Sequence, residues 1–193
     1  VTTVNTPKIS IITIVYNNVR DIEYTLLSVI NQTYPHIEYI VIDGASTDGT
    51  LEVINTYRGS IDVLVSEKDK GIYDAMNKGL ERATGDYVLF LNSGDELYDN
   101  STIQCIVEKG TNADIIYGET KLVDEQRNIL GTRRHRAPAS FDWTSFKYGM
   151  NICHQAIYVK RSIAPKYDTN YQLSADIDWV IRAAKQAKST KNV

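Results

Sequence analysis

The chain has 193 residues, 42% of them hydrophobic, which suffices for one globular domain with a core and a cleft. A formal net charge of -3 gives no global basic field, so nucleic acid is excluded as a partner unless a local patch binds it. Cys105 and Cys153 are the two cysteines, far apart and matching neither a disulfide framework nor a metal-ligand spacing, so a reducing, cytoplasmic setting fits best. No apolar stretch approaches the ~20 residues that cross a bilayer, and the start lacks the basic-then-apolar pattern of a secretion signal. The small, basic ending "AAKQAKSTKNV" reads as the frayed edge of a longer protein.

In chain order, "ISIITIVY" (9–16) is too short for a helix and too apolar for an exposed strand, so it predicts a central strand. From Asp21, a plausible cap, the spacing of Ile22, Leu26, Val29 and Ile30 predicts a helix that ends before Pro35. A strand over 38–43 follows, then a helix from Asp48 carrying Leu51, Ile54 and Tyr57. Residues 61–67 predict a strand, 72–83 a helix and 86–91 a fourth strand. Alternation of this kind implies an α/β fold with a mostly parallel central sheet flanked by helices.

After residue 100 the rhythm loosens. A helix is expected near 101–109, a strand over 114–120, a hairpin turning at 124–128, a strand over 152–160 and a last helix over 176–187. This smaller half reads as mixed or antiparallel.

Ligands of open α/β sheets bind beyond the carboxyl ends of the strands. Here those ends deliver Tyr16-Asn17-Asn18, Asp43-Gly44-Ala45-Ser46, Glu67-Lys68-Asp69 and Asn92-Ser93-Gly94-Asp95. Each alone reads as turn chemistry. Together, several carboxylates on one rim call for a cation, and a hard divalent ion such as Mg²⁺ or Mn²⁺ takes one or two carboxylates and fills its remaining positions with water and phosphate oxygens. A diphosphate ligand follows as a hypothesis. Neither "GxxxxGK[ST]" nor "GxGxxG" is present, which argues against P-loop NTPases and ordinary dinucleotide-binding dehydrogenases.

The segments "ISIITIVYNN", "IEYIVIDGASTDGT", "DKGIYDAMNKGLERATGDYVLFLNSGD" and "SADIDWVIRA" resemble the successive motifs of glycosyltransferase family 2, nucleotide-sugar transferases of GT-A fold. The resemblance is dense over 8–96 and resumes near 152–182. It implies a single GT-A domain over 1–193, with a donor half over 1–96 and an acceptor half over 97–193. It implies inverting transfer of a sugar from a nucleotide donor, usually a UDP-sugar, to a hydroxyl of a glycan or lipid-linked acceptor. By position, Tyr16 and Asn17 would line the nucleobase and ribose pocket and Asp43 would accept from the base. Asp69 and Asp74 would border the donor, with Asn92 nearby. Asp95 would hold the divalent cation and Asp176 would be the catalytic base.

Two departures from the family pattern stand out. Asn92-Ser93-Gly94-Asp95 replaces the frequent "DxDD", leaving one carboxylate, and Ala175 replaces the first acid of the usual Glu-Asp pair, with Asp178 as competitor to Asp176. Asp48 reads as a helix cap. "RRHR" (133–136) reads as a solvated basic loop, or as a cation contacting diphosphate or the inner membrane surface. His154 and Gln155 are candidate acceptor-site residues, and Trp179 is a candidate sugar-stacking platform or a core side chain. The rival classes are a sugar-1-phosphate nucleotidyltransferase and a non-catalytic nucleotide-sugar or polysaccharide-binding module.

Overall fold

Ile9–Val15 (β1) is closed to solvent at every position. Ile12 and Ile14 enter one apolar cluster with Met76 and Trp179, while Ile9, Ile11 and Val15 enter another with Leu26, Ile54 and Ile106. Successive strand residues face opposite sides of a sheet, so a run apolar at nearly every position needs a covering layer on each side. The computed structural model, which describes residues 6–110 and 112–193, supplies both layers.

The elements that follow are α1 (Ile22–Ile30), β2 (Ile37–Asp43), α2 (Thr50–Thr56), β3 (Val63–Ser66), α3 (Ile72–Arg82) and β4 (Tyr87–Phe90). The second half contributes α4 (Thr102–Gly110), β5 (Ile115–Tyr117), β6 (Lys121–Val123), β7 (Ile129–Thr132), β8 (Ile157–Lys160), α5 (Ala175–Gln186) and β9 (Thr190–Asn192). The central sheet has the order β3-β2-β1-β4-β8-β5-β9. Only β8 runs antiparallel to its neighbours among the described strands of that sheet. Residues of α1, α2 and α4 line one apolar cluster and residues of α3 and α5 the other, so the α/β fold read from the sequence is the one observed. Strands β6 and β7 form a separate antiparallel hairpin.

Several boundaries differ from the sequence expectation, each for a local reason. The third strand begins at Val63 rather than 61, because Arg58–Ser60 form a 3₁₀ turn and the Asp62 side chain, not its neighbour's backbone, accepts from Tyr39 N at 2.7 Å. Only Ile157–Lys160 of the expected 152–160 strand is extended, since His154–Ala156 close a 3₁₀ turn with Ala156 N donating to Cys153 O. Asp21 makes no side-chain cap at α1 and instead pairs with Arg127 at 3.0 Å. Residues 190–192, read as a frayed end, pair in parallel with β5.

Helix α3 lies unusually close to the sheet. Gly79 faces it, and a methyl group at that position would collide with Ile12 Cγ2.

At the amino ends of the strands, buried Glu38 ties three segments together. Its carboxylate accepts from Lys8 Nζ at 2.8 Å, Ser10 Oγ at 2.6 Å, Thr84 N at 2.7 Å and Thr84 Oγ1 at 2.5 Å. Burial alone would raise its pKa, but these donors bring it down to about 2 from an ordinary 4.5. A depressed folded-state pKa stabilises the fold above the unfolded value, and that contribution disappears as pH falls through the folded one. Glu38→Gln should therefore cost on the order of 1–3 kcal/mol at neutral pH and flatten the loss of stability between about pH 4.5 and 2, as read by denaturant titrations at several pH values. An unchanged acid limb would contradict this account.

Candidate functional site

The carboxyl ends of β1 to β4 form one rim, and the loops there are stitched to one another by side chains. Asn17 N donates to Ser46 Oγ and Thr47 N donates to Asn17 Oδ1, both at 2.8 Å. Asn18 N donates to Thr50 Oγ1 at 2.9 Å, and the Asn18 amide reaches Ser93 Oγ at 2.9 Å. Asn17 and Ala45 both sit at positive φ, 47° and 61°, where Asn is tolerated and Ala is strained. The strain at Ala45 persists because the surrounding loop bonds over-determine its conformation, as at many ligand sites.

Tyr16 stands 65% exposed at the end of β1, its ring open to a flat ligand. Gly44 lies between Tyr16 and Asp69: a methyl group there would come within 2.7 Å of Asp69 Oδ2 and 3.2 Å of Tyr16 Cδ2. Asp69 Oδ1 accepts from Gly71 N at 3.0 Å, which shapes the loop entering α3. Asp74, in the first turn of α3, accepts from Lys70 N at 3.0 Å and lies 3.6 Å from Lys78 Nζ. Lys78 of α3 also binds Glu67 at 3.0 Å, so the helix brings to that loop a cation that sequence reading passed over. Asp48, expected to cap α2, stands one residue before the actual cap, Gly49, and accepts from Thr50 N at 3.0 Å at the helix start.

Asp43 departs from its expected geometry. It is 0% exposed, with its carboxylate accepting from Ser66 Oγ at 2.6 Å and from Ser46 N at 3.2 Å. In this conformation it holds the β2–α2 loop to Ser46 and to the end of β3.

The β4 loop brings the second half of the chain to the rim. Asp95 Oδ2 accepts from Gln155 Nε2 at 2.9 Å, and Asn92 Nδ2 lies 3.3 Å from His154 Nε2. His154 Nδ1 in turn lies 3.5 Å from Asp176 Oδ2. The His154 imidazole holds the Asp176 carboxyl below its usual pKa despite its partial burial, whereas burial raises that of Asp95. Asp178 is committed elsewhere, to Arg182 Nε at 2.7 Å on its own helix. Asn92, Asp95, His154, Gln155 and Asp176 thus form one contiguous polar group.

Arg127, at the hairpin turn, was not singled out by any motif. It donates to Gly94 O and binds Glu96, both at 2.8 Å, so it grips both neighbours of Asp95, and it stacks 4.4 Å over the Tyr24 ring. Its signal in the sequence is only an Arg inside a turn.

Trp179 is not a sugar platform. It is 1% exposed, stacked at 5.3 Å on Tyr167 and edge-on to Phe90, with its indole N–H donating to Pro165 O. Spacing along α5 alone cannot tell a buried ring from a presented one.

The donor set fits a divalent cation only with help from a ligand. Among the described residues no three His, Cys, Asp or Glu side chains gather as a metal site. Asp95 is one carboxylate, and Asn92 Oδ1 is a buried oxygen with no partner. One or two protein oxygens suit Mg²⁺ or Mn²⁺ when phosphate oxygens and water complete the shell.

Residues 10–164 match the family described as Glycosyl transferase family 2. A Mycobacterium bovis protein, "PGL/p-HBAD biosynthesis glycosyltransferase", is 32% identical over 186 residues, covering 91% of this chain and 69% of that protein. The fold superposes on S. aureus TarS in complex with UDP-GlcNAc with a TM-score of 0.78 at 18% identity, covering 96% of this chain and 56% of that one. Mannosyltransferase PcManGT from Pyrobaculum calidifontis, in complex with GDP-Man and Mn²⁺, gives 0.73 at 20% identity, covering 97% and 55%. The chain therefore spans little more than half the length of these solved structures, and the likeness establishes the GT-A fold.

The strain at Ala45 is directly measurable. Ala45→Gly should raise stability by about 1 kcal/mol, since glycine adopts positive φ without the Cβ clash. A melting temperature that stays level or falls would mean the loop is not strained there.

Proposed function

Since the chain belongs to glycosyl transferase family 2, we propose that it transfers a sugar from a UDP-sugar to an acceptor hydroxyl with inversion at the anomeric carbon. The observation that carries this reading is the polar group of Asn92, Asp95, His154, Gln155 and Asp176, in which the consecutive residues His154 and Gln155 contact a candidate base and a candidate cation ligand respectively.

Tyr16 and Asn17 line the pocket for base and ribose, and Asp43 accepts from the uracil imide once Ser46 moves away. Asp69, beside Gly44, borders the ribose and sugar. Asp95, with Asn92 Oδ1 nearby, would hold a divalent cation against the diphosphate. Such a cation supplies charge stabilisation for the leaving nucleoside diphosphate.

Asp176 takes the acceptor proton. A hydroxyl is a poor nucleophile until a base within hydrogen-bond reach removes its proton during attack. Asp176 is ionised near neutrality, as a carboxylate of ordinary or lowered pKa is, and the contact with His154 that lowers it makes the proton transfer depend on positioning rather than on basicity. His154 steadies Oδ2 and leaves the other oxygen to the acceptor. Attack on the anomeric carbon opposite the departing diphosphate inverts that centre.

UDP titrated into the protein by calorimetry should bind more tightly with Mn²⁺ than with chelator, and Asp95→Ala should remove the difference. Equal affinity with Mn²⁺ and with chelator in the parent would end the cation reading.

For the base, Asp176→Asn preserves shape while removing the proton acceptor, so transfer should fall ~10²–10⁴-fold with UDP affinity retained. Asp178→Asn should cost far less, because it loses only a helix-surface ion pair worth about 0.3–0.5 kcal/mol. Full activity in Asp176→Asn, measured with a competent acceptor, would remove Asp176 from the chemistry; absence of transfer in the parent chain with every acceptor would favour a binding module.

A further inference from the structure

A cavity of about 460 Å³ opens beside Asp95 on the α4 side of the sheet. This size falls in the range of small-molecule pockets, roughly 300–1,000 Å³. Leu91, Leu97 and Ile106 line its inner wall beside Tyr98 and Tyr158, and five charged side chains besides Asp95 also reach the cavity. Its outer wall is the β6–β7 hairpin, whose Leu122, Val123 and Ile129 also line it. Leu122 and Val123 are consecutive, and consecutive strand residues ordinarily face opposite sides. Here the register shifts between those two residues, and such a bulge re-aims side chains.

The hairpin is not needed to close the core. It stands apart from the central sheet, and its apolar residues remain open: Leu122 is 48% and Ile129 57% exposed. A lone two-stranded hairpin is marginal in water. Arg127 nevertheless fixes its turn to the loop that carries Asp95, through Gly94 O, Glu96 and Asp21. The molecule thus holds an aliphatic wall at a set distance from its polar centre and leaves the space between unfilled.

The mouth of the cavity is polar. Asp95 and Gln155 line it, and Gln155 is joined to Asp95 at 2.9 Å. The adjoining His154 reaches Asp176. Burial raises the pKa of Cys153, which also lines the cavity, so its thiol adds no charge to the wall. A ligand matching this layout carries an alkyl chain for the dry interior and a hydroxylated head at the Asp95 and Gln155 end.

We propose that the cavity under the β6–β7 hairpin binds the alkyl portion of an amphiphilic acceptor, placing its hydroxyl-bearing head at the polar group of Asp95, Gln155 and His154. The proposal rests on the transferase reading for the word acceptor, and on the cavity alone for the ligand's class. It favours an alkyl chain over an aromatic aglycone because, among the large apolar side chains of the lining, Leu91, Leu97, Ile106, Leu122, Val123 and Ile129 outnumber the two tyrosines.

The test uses octyl β-D-glucoside below its micelle-forming concentration, methyl β-D-glucoside and p-nitrophenyl β-D-glucoside, each titrated into the protein by calorimetry. Octyl glucoside should bind at least tenfold tighter than the methyl compound and tighter than the aromatic one. Leu122→Asp and Ile129→Asp each put a charge on the outer wall at half-exposed positions that the core does not need, and each should abolish the octyl preference with the circular dichroism spectrum unchanged. Equal affinity for octyl and methyl glucosides, or a preference that survives both substitutions, overturns the proposal. Tighter binding of the p-nitrophenyl compound overturns the alkyl assignment. UDP is titrated in parallel: a protein that binds octyl glucoside through these residues but not UDP would sink the transferase reading while upholding the ligand class of the cavity.

Discussion

The stack of Tyr73, Tyr167 and Trp179 against Phe90 decides where Asp176 stands. Tyr167 lies between the other two rings, at 5.6 Å from Tyr73 and 5.3 Å from Trp179, and Phe90 of β4 meets both Tyr167 and Trp179 edge-on. Aromatic contacts of this kind add ~0.5–1.5 kcal/mol each beyond the area they bury. Trp179 follows Asp176 by three residues, close to one helical turn, so anchoring the ring fixes the rotation of α5 and hence the direction of the carboxylate. Tyr73 completes the arrangement, because its hydroxyl accepts from Ala175 N at 3.1 Å. The starts of α3 and α5 are thereby registered to each other, and with them the two halves of the chain.

Much of this was legible in the sequence, and the limits of legibility are physical. Long apolar runs buried on both faces, such as 9–15 and 38–43, announce themselves because every position is constrained. The α/β alternation and the rim residues followed from them. The segment 152–156 did not, because its turn is set by a side-chain and backbone pattern at Cys153 to Ala156 rather than by periodicity. Strand β9 was missed for a similar reason: Thr190–Asn192 carries no apolar pattern, and its place is fixed by the edge of β5. Asp43 and Trp179 have the residue types expected of ligand contacts, yet burial and partners are three-dimensional facts. Arg127 acts across about a hundred residues, on Asp21, and no local signal reports such a pairing.

Replacing several acids at the β4 loop by Asn92, Ser93 and Gly94 changes the electrostatics of the rim. A cluster of carboxylates would repel itself whenever no cation is bound. One carboxylate, with Gln155 donating to it and Arg127 neutralising Glu96 beside it, has little such repulsion to relieve. The loop can therefore keep its shape in the absence of any ion, which is consistent with its dense hydrogen bonding to Thr25 and Asn18.

The missing side chain at Gly79 governs the depth of the cleft. Because glycine leaves no Cβ between α3 and Ile12, the helix settles directly onto the sheet at that turn. The loop of Asp69 to Gly71 leads into that helix, so its height over the sheet follows from the same contact. A homologous chain with alanine at this position would have to lift the whole helix, and the loop with it, by the width of a methyl group. The shape of the cleft would then be altered by a residue that touches no ligand, which makes this buried site a route by which related sequences can drift in ligand preference while every rim residue stays the same.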